Sequence, residues 1–285
     1  MPDNLAPVFN GLRTLRQPQV LALDGVDAVA FAQAQFANDV VALADGHWHW
    51  SAWLSAKGRV LAVFQLLRLD AHTLRLVCHD GDAGAMAEQL RRFVFRRKVA
   101  IGITEQVVQV AMQLPAKARG AALARLDEGA IELDVGSAAL PRLLRLVADV
   151  DAAPDAAAEL AWRQSDLRFG LPRLDGSQRE QWTPQQLGLD RLAAYSVKKG
   201  CYPGQEIVAR THFLGKAKRA ATLLQVPAGS APGEEVRKEG QAIGTVVSVA
   251  GSLALAVLPL DAGEEGLSVA GGPAMVWPLI EGLAR

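Results

Sequence analysis

The feature that most constrains this chain is a change of pattern near Phe213. Before it, apolar residues recur at both helical and strand spacings; after it, helix periodicity disappears. Downstream, residues 222–226, 241–249 and 253–258 read as strands separated by Gly/Pro turns, the pattern of a small barrel. Residues 241–260 carry no charge, which raises the question of a membrane span. Gly244, Gly251 and Pro259, with β-branched residues on both sides of Ala250-Gly251-Ser252, favour two strands and a turn instead.

Upstream, strands are expected at 19–23, 47–54, 60–67, 73–78 and 99–103, with helices at 26–36 and 82–93. Asp45-Gly46, Ser55-Ala56-Lys57-Gly58 and Asp70-Ala71-His72 supply the turns. This β-α-β-β-β-α-β order resembles ferredoxin-like α+β layering. A second unit is weaker: strands at 109–113 and 130–135, and a helix at 138–147. Residues 151–154 form a joint before a further helix, which Gly170-Leu171-Pro172 ends. The predicted fold class is α+β, with residues 1–212 as two α+β subdomains, possibly interleaved in the chain, divided near 104–110. Residues 213–285 form an all-β domain.

Charge and cysteine usage narrow the function. Half of the 285 residues are apolar and 21% are charged, so the chain can bury a core. Thirty basic and thirty acidic residues cancel, which gives no global field to attract nucleic acid or an acidic membrane. Cys78 and Cys201 are too few for a disulfide framework, a zinc site or a cluster site within one chain. With no basic and apolar leader at the N-terminus, a cytoplasmic protein is expected. Phosphate-loop, dinucleotide and nucleophile-elbow motifs are absent. The pairs His47/His49 and Cys78/His79 lack further ligands at a diagnostic spacing, so no metal site is assigned. Arg91, Arg92, Arg96, Arg97 and Lys98 surround Phe93 and Phe95. They read as a helix C-terminus whose cations complement the dipole and cover apolar surface, in preference to a nucleic-acid contact.

The informative segment is Lys198-Lys199-Gly200-Cys201-Tyr202-Pro203-Gly204-Gln205-Glu206. Pro203-Gly204 suits a type II turn, and two lysines beside Cys201 favour its thiolate. Six cations (Lys198, Lys199, Arg210, Lys216, Lys218 and Arg219) face only Glu206 over residues 196–219. This reads as a basic loop presenting a thiol. On composition alone, a small buried cysteine in a turn is the favoured explanation.

The run from Lys198 to Arg210 resembles the signature of the YgfZ family, folate-binding relatives of the glycine-cleavage T-protein. Residues 33–40 resemble that family's first helix, 54–59 its first hairpin turn, and 167–172 with 182–185 the lead-in to the cysteine motif. The resemblance implies a T-protein-like ring of two ferredoxin-like α+β subdomains and a C-terminal β-barrel around a central folate cavity. It also implies service to iron–sulfur cluster assembly or repair and to iron–sulfur-dependent tRNA modification. Cys201 becomes the candidate catalytic residue. Trp162, Lys199, Arg210, Asn38 and Lys57 become candidate contacts to tetrahydrofolate or a derivative, Trp162 by stacking and the basic segment by receiving glutamate carboxylates. The expected partners are folate and iron–sulfur enzymes or assembly factors; the neutral chain does not support tRNA as a direct partner, and no membrane is expected. T-protein carries a carboxylate shortly after the hairpin glycine. Here Arg59-Val60-Leu61-Ala62-Val63-Phe64-Gln65 has none. That departure ranks a folate-dependent aminomethyltransferase second and a tRNA-binding module third.

Overall fold

The computed structural model describes residues 9–80, 83–148, 153–215 and 217–285. Asp82, Asp151 and Lys216, which belong to elements or charge groups expected above, lie outside the described residues. The chain begins with β1 (Arg13–Leu15), β2 (Gln19–Asp24), α1 (Ala28–Gln35), β3 (His47–Leu54) and β4 (Val60–Asp70). It continues through β5 (Thr73–Cys78), α2 (Ala83–Arg91), β6 (Ala100–Ile103), β7 (Val107–Ala111) and β8 (Ala124–Arg125). Next come β9 (Ile131–Asp134), β10 (Leu143–Val147), α3 (Ala156–Arg168) and α4 (Gln205–Phe213). The last third is β11 (Arg219–Gln225), β12 (Glu235–Lys238), β13 (Gln241–Ala250), β14 (Leu253–Pro259), β15 (Leu267–Val269) and β16 (Gly272–Trp277).

Three sheets organise these elements. The first has the order β3-β4-β5-β2-β6 and the second β1-β7-β10-β9-β8, while β11-β14-β13-β12-β15-β16 closes into a barrel. The fold is α+β with an all-β C-terminal barrel, as the pattern change at Phe213 predicts. Because β1 pairs with β7, the chain visits the second sheet before completing the first.

Strand β3 shows how the layers meet. Trp48, Trp50, Ala52 and Leu54 face a core shared with Leu144 and Leu146 of the second sheet, Trp162 of α3, and Val247 and Val257 of the barrel. Trp53 points the other way, into a core with Phe31 and Phe36 around α1 and Met86 and Leu90 of α2. Both faces of the first sheet are therefore covered, although on β3 the second face also carries the buried polar His49 and Ser51. Leu224, Val236, Val246 and Leu267 fill the barrel's own interior. Among the described residues, no helix is long and apolar enough to cross a membrane.

Three expectations need correction. Residues 138–147 do not form a helix. Pro141 interrupts the start, and Leu143–Val147 runs antiparallel between β7 and β9, burying Leu144 and Leu146. The hairpin before it is tight: a Cβ on Gly136 would stand 2.3 Å from the Arg142 amide. The cysteine motif is not all loop either, since Gln205–Phe213 is helical from Gly204 onward. The basic turn after α2 does not simply lay its stems on apolar surface. Arg91 and Arg97 donate to the Ile101 and Ala30 carbonyls, whereas Phe95 stands 89% exposed with Arg96 over its ring.

Candidate functional site

Residues from all three sheets converge on the segment after α3. That helix starts at Asp155, whose carboxylate accepts from the Ala158 amide at 3.0 Å. Its inner face buries Trp162, Ser165 and Asp166. Arg142, at the foot of β10, donates Nη1 to Ser165 Oγ and Asp166 Oδ1, both at 2.7 Å, and Nε and Nη2 to the Val135 carbonyl. Its guanidinium lies 4.6 Å from the Trp162 ring centre and 4.5 Å from that of Phe169. The other oxygen of Asp166 accepts from Arg173 through Nε at 3.0 Å and through Nη2.

Arg173 links to the remaining two sheets. Its amide donates to Ser248 Oγ of β13, and that hydroxyl donates to the Arg173 carbonyl at 2.8 Å. Its Nη1 lies 3.6 Å from Oδ1 of Asp80, two residues past β5, and the Leu174 amide donates to Asp80 Oδ2 at 2.9 Å. Burial pushes the Asp80 carboxyl up to about 8, with the nearby Asp166 carboxylate adding to the rise against the Leu174 hydrogen bond. Burial likewise raises Asp166 to about 6 and lowers Arg173 to about 9. At neutral pH Asp80 therefore holds its proton most of the time.

This cluster lines three neighbouring spaces. A cavity of about 400 Å³ is lined by Gln17, Asp80, Arg163, Arg173 and Asp175. A recess of about 10 Å³, sharing Gln17, Arg163 and Arg173 with it, reaches His79 and Trp162. On the other side of Asp80 a third space of about 100 Å³ is lined by Trp53, Leu61, Ala62, Val63, Cys78 and Arg179. Among the described residues, Asp80 is the one acid lining that third space. Cys78 is buried, and burial pushes its thiol up to about 12, which makes it inert.

The cysteine motif lies in a second region. Gly204 has φ +78° and ψ 2°, the i+2 geometry of a type II turn, and a Cβ there would meet Gly58 Cα at 2.5 Å and Ser55 O at 2.6 Å. The motif thus sits directly on the β3–β4 turn, whose Gly58 is itself at φ +67°. Tyr202 donates its hydroxyl to the Ser196 carbonyl, and Gln205 donates to the Lys199 carbonyl. Cys201 is an exposed free thiol.

The predicted site residues divide between these regions. Lys199 is buried, and its ammonium donates to the carbonyls of Gln33, Phe36 and Asn38 at 2.6, 2.5 and 2.9 Å. All three of its donors are used, so it clamps the end of α1 instead of receiving a ligand carboxylate. Burial lowers its pKa to about 8. Asn38 is equally committed: Nδ2 donates to the Trp50 and Ala193 carbonyls, and Oδ1 accepts from the Asp39 amide. Lys57 and Arg210 are exposed and line none of these three spaces. Trp162 does line the central recess. It is only 1% exposed, however, and Arg142 lies against its ring, so no face is open for stacking.

Sequence reasoning passed over Asp80, Arg163 and Arg173. The only signal was local: Asp80 follows a strand end, and Arg173 follows the Gly-Leu-Pro that ends α3. Among the described residues, no group of three or more His, Cys, Asp or Glu side chains is placed to hold a metal ion.

Comparison with known proteins gives the class first. Over 95% of this chain and 85% of the other, the fold matches the crystal structure of glycine cleavage system aminomethyltransferase T from Bartonella henselae, with TM-score 0.73 and 20% identity. Residues 218–279 match the family model for the CAF17 C-terminal beta-barrel domain. The chain has a T-protein-like fold. The tRNA-modifying protein YgfZ of Aliivibrio fischeri strain MJ11 is 26% identical, across 92% of this chain and 89% of its own. That of Klebsiella pneumoniae is 28% identical, across 81% and 76%. Within the T-protein-like class, the chain is similar in sequence to proteins named YgfZ, at 25–28% identity.

Proposed function

We propose that this protein binds tetrahydrofolate or a derivative in the central cavity and acts in the cytoplasm as an accessory factor for iron–sulfur-dependent tRNA modification, with Cys201 as its working thiol. The observation that carries the reading is the division of labour within the cysteine motif. Lys199, Tyr202, Gly204 and Gln205 each hold the loop in place, and Cys201 is presented to solvent between them, beside the exposed Lys198 and Gly200. A packing role needs no such scaffold around an exposed sulfur. The relatives named tRNA-modifying proteins support the modification context, and the T-protein-like fold supports the folate.

The residues around the central cavity suit a folate. About 400 Å³ accommodates a bent heterocycle and tail, Arg163 complements a carboxylate, and buried polar atoms of His79 and Trp162 lack partners among the described residues. Asp80, mostly protonated at neutral pH, is a poor base, which favours binding over aminomethyl transfer.

Two measurements test this reading. Calorimetric titration with tetrahydrofolate should give saturable binding that Cys201→Ser leaves intact. In cells deleted for the gene, the wild-type chain should restore the thiolated or methylthiolated nucleosides of bulk tRNA, measured by mass spectrometry, and Cys201→Ser should not. Full restoration by the serine variant would remove the thiol from the function.

A further inference from the structure

Two buried polar atoms on residues that line the recess, Trp162 Nε1 and His79 Nδ1, have no hydrogen-bond partner among the described residues. The residues are 1% and 5% exposed. Their roles are fixed by chemistry. Indole Nε1 can only donate. His79 Nε2 lies 2.6 Å from Gln65 Oε1, which can only accept, so the imidazole proton sits on Nε2 and Nδ1 carries a lone pair. The recess therefore presents one donor and one acceptor. Neighbours hold both rings in position: Arg142 lies on the Trp162 ring, and Gln65 anchors the imidazole.

The recess is about 10 Å³, enough for one small polar group and too little for a ring. It shares Gln17, Arg163 and Arg173 with the 400 Å³ cavity, so a ligand lodged there can place one edge inward. We propose that the recess reads an amide-like edge of the bound ligand, its carbonyl accepting from Trp162 Nε1 and its adjacent N–H donating to His79 Nδ1.

The assignment rests on the folate reading above and gives it a recognition rule. The pterin lactam has an oxo group next to a ring N–H, which is the acceptor–donor pair required. Trp162 then acts through its edge and not its face. A 4-amino-4-deoxy analogue reverses the pair. It would set a donor against the indole N–H and a lone pair against His79, leaving buried groups mismatched. A single ordered water satisfies the same two atoms, because water both donates and accepts. In that case the recess plays no part in recognition.

The test is calorimetric titration of the full chain with tetrahydrofolate and with 4-amino-4-deoxytetrahydrofolate. Trp162→Phe keeps the ring against Arg142 and removes the donor. His79→Gln retains an amide able to reach Gln65 and loses the Nδ1 acceptor, whereas His79→Asn keeps an acceptor near that position. The wild type should prefer the oxo compound by about tenfold or more, as expected of a site built to pair a polar edge. Trp162→Phe and His79→Gln should each erase most of that preference, and His79→Asn should retain it. The indole N–H resonance of Trp162, assigned by its loss in Trp162→Phe, should shift on binding. Tetrahydrofolate binding with the oxo preference unchanged in both folded variants would overturn this assignment and leave the folate reading standing. Failure of the wild type to bind either compound would overturn both.

Discussion

At the residue scale, two buried ionisable groups make opposite demands on their surroundings. Burial lifts the Asp80 carboxyl from its ordinary 3.8 to about 8 in the folded chain. Between those values the folded state keeps a proton that the unfolded chain has released. Stability contributed by Asp80 is thus full below about pH 4 and is lost as pH rises through 8. Asp166, raised to about 6, acts in the same sense over the lower part of that window. Asp80→Asn keeps an oxygen for the Leu174 amide and removes the titration. From pH 6 to 8 the wild type should lose about 2 kcal/mol relative to this variant, since one proton changes stability by about 1.4 kcal/mol per pH unit. Urea midpoints at both pH values measure it, and parallel curves would show that Asp80 is ionised throughout. Lys199 makes the other demand. Lys199→Met strands three carbonyls at the end of α1 and should cost about 2–4 kcal/mol. The alkylation rate of Cys201 at 25 °C should barely change. A variant of unchanged stability with a slower-reacting Cys201 would restore the lysine to the service of the thiol.

Among the elements, what could be read from sequence depended on how local the determining interactions are. Strands β3 and β5 agree with expectation end for end, because Asp45-Gly46, Ser55–Gly58 and Asp70–His72 mark turns and the alternation between them is apolar. Strand β4 runs three residues beyond its predicted end, since pairing with β3 and β5 carries it to Asp70. Strand β10 is ambiguous in the sequence because Leu143, Leu144 and Leu146 fit a short helix as well as a strand, and only pairing with β7 and β9 decides. Strands β12, β15 and β16 are too short or too polar to register, and barrel closure defines them. The candidate site divides the same way. Cys201 stands out in a local motif, whereas Asp80 and Arg173 matter only once strand end and helix end are brought together. Where the cysteine motif joins the β3–β4 turn, Gly204→Ala is the informative change. Its Cβ would collide with Gly58 Cα and Ser55 O, at a φ that favours glycine. The loop should lift from the hairpin at a cost of about 1–3 kcal/mol. Trypsin should then cut after Lys198, Lys199 or Arg210 well below the global unfolding temperature. Cleavage only at global unfolding would show that the contact does not hold the loop.

For the whole molecule, the question is what makes three sheets behave as one body. The apolar core that takes in Trp50, Leu144, Trp162 and Val257 is one answer, but such a core adapts to altered packing. The polar junction is more exacting. Asp166 is the common counter-ion of Arg142, which ties α3 to Val135 just past β9 of the second sheet, and of Arg173, which reaches Asp80 beyond β5 and Ser248 of the barrel. All four ionisable groups are buried or nearly so, with Arg142 1% and Asp166 2% exposed at the side chain. A pair of this kind adds little over an apolar replacement of equal shape, yet removing one partner leaves an uncompensated charge at a cost of about 3–5 kcal/mol. Asp166→Asn abandons two guanidinium groups at once while leaving the volume almost unchanged. Its effect should therefore be on coupling as well as on total stability. Calorimetry of the wild type should give one unfolding transition. In Asp166→Asn the barrel, whose interior is closed by its own residues Leu224, Val246 and Leu267, should melt separately from the α+β sheets. A single transition merely shifted to lower temperature would mean that the shared apolar core suffices to couple the sheets, and that the Asp166 junction sets the shape of the cavity and not the cooperativity of the fold.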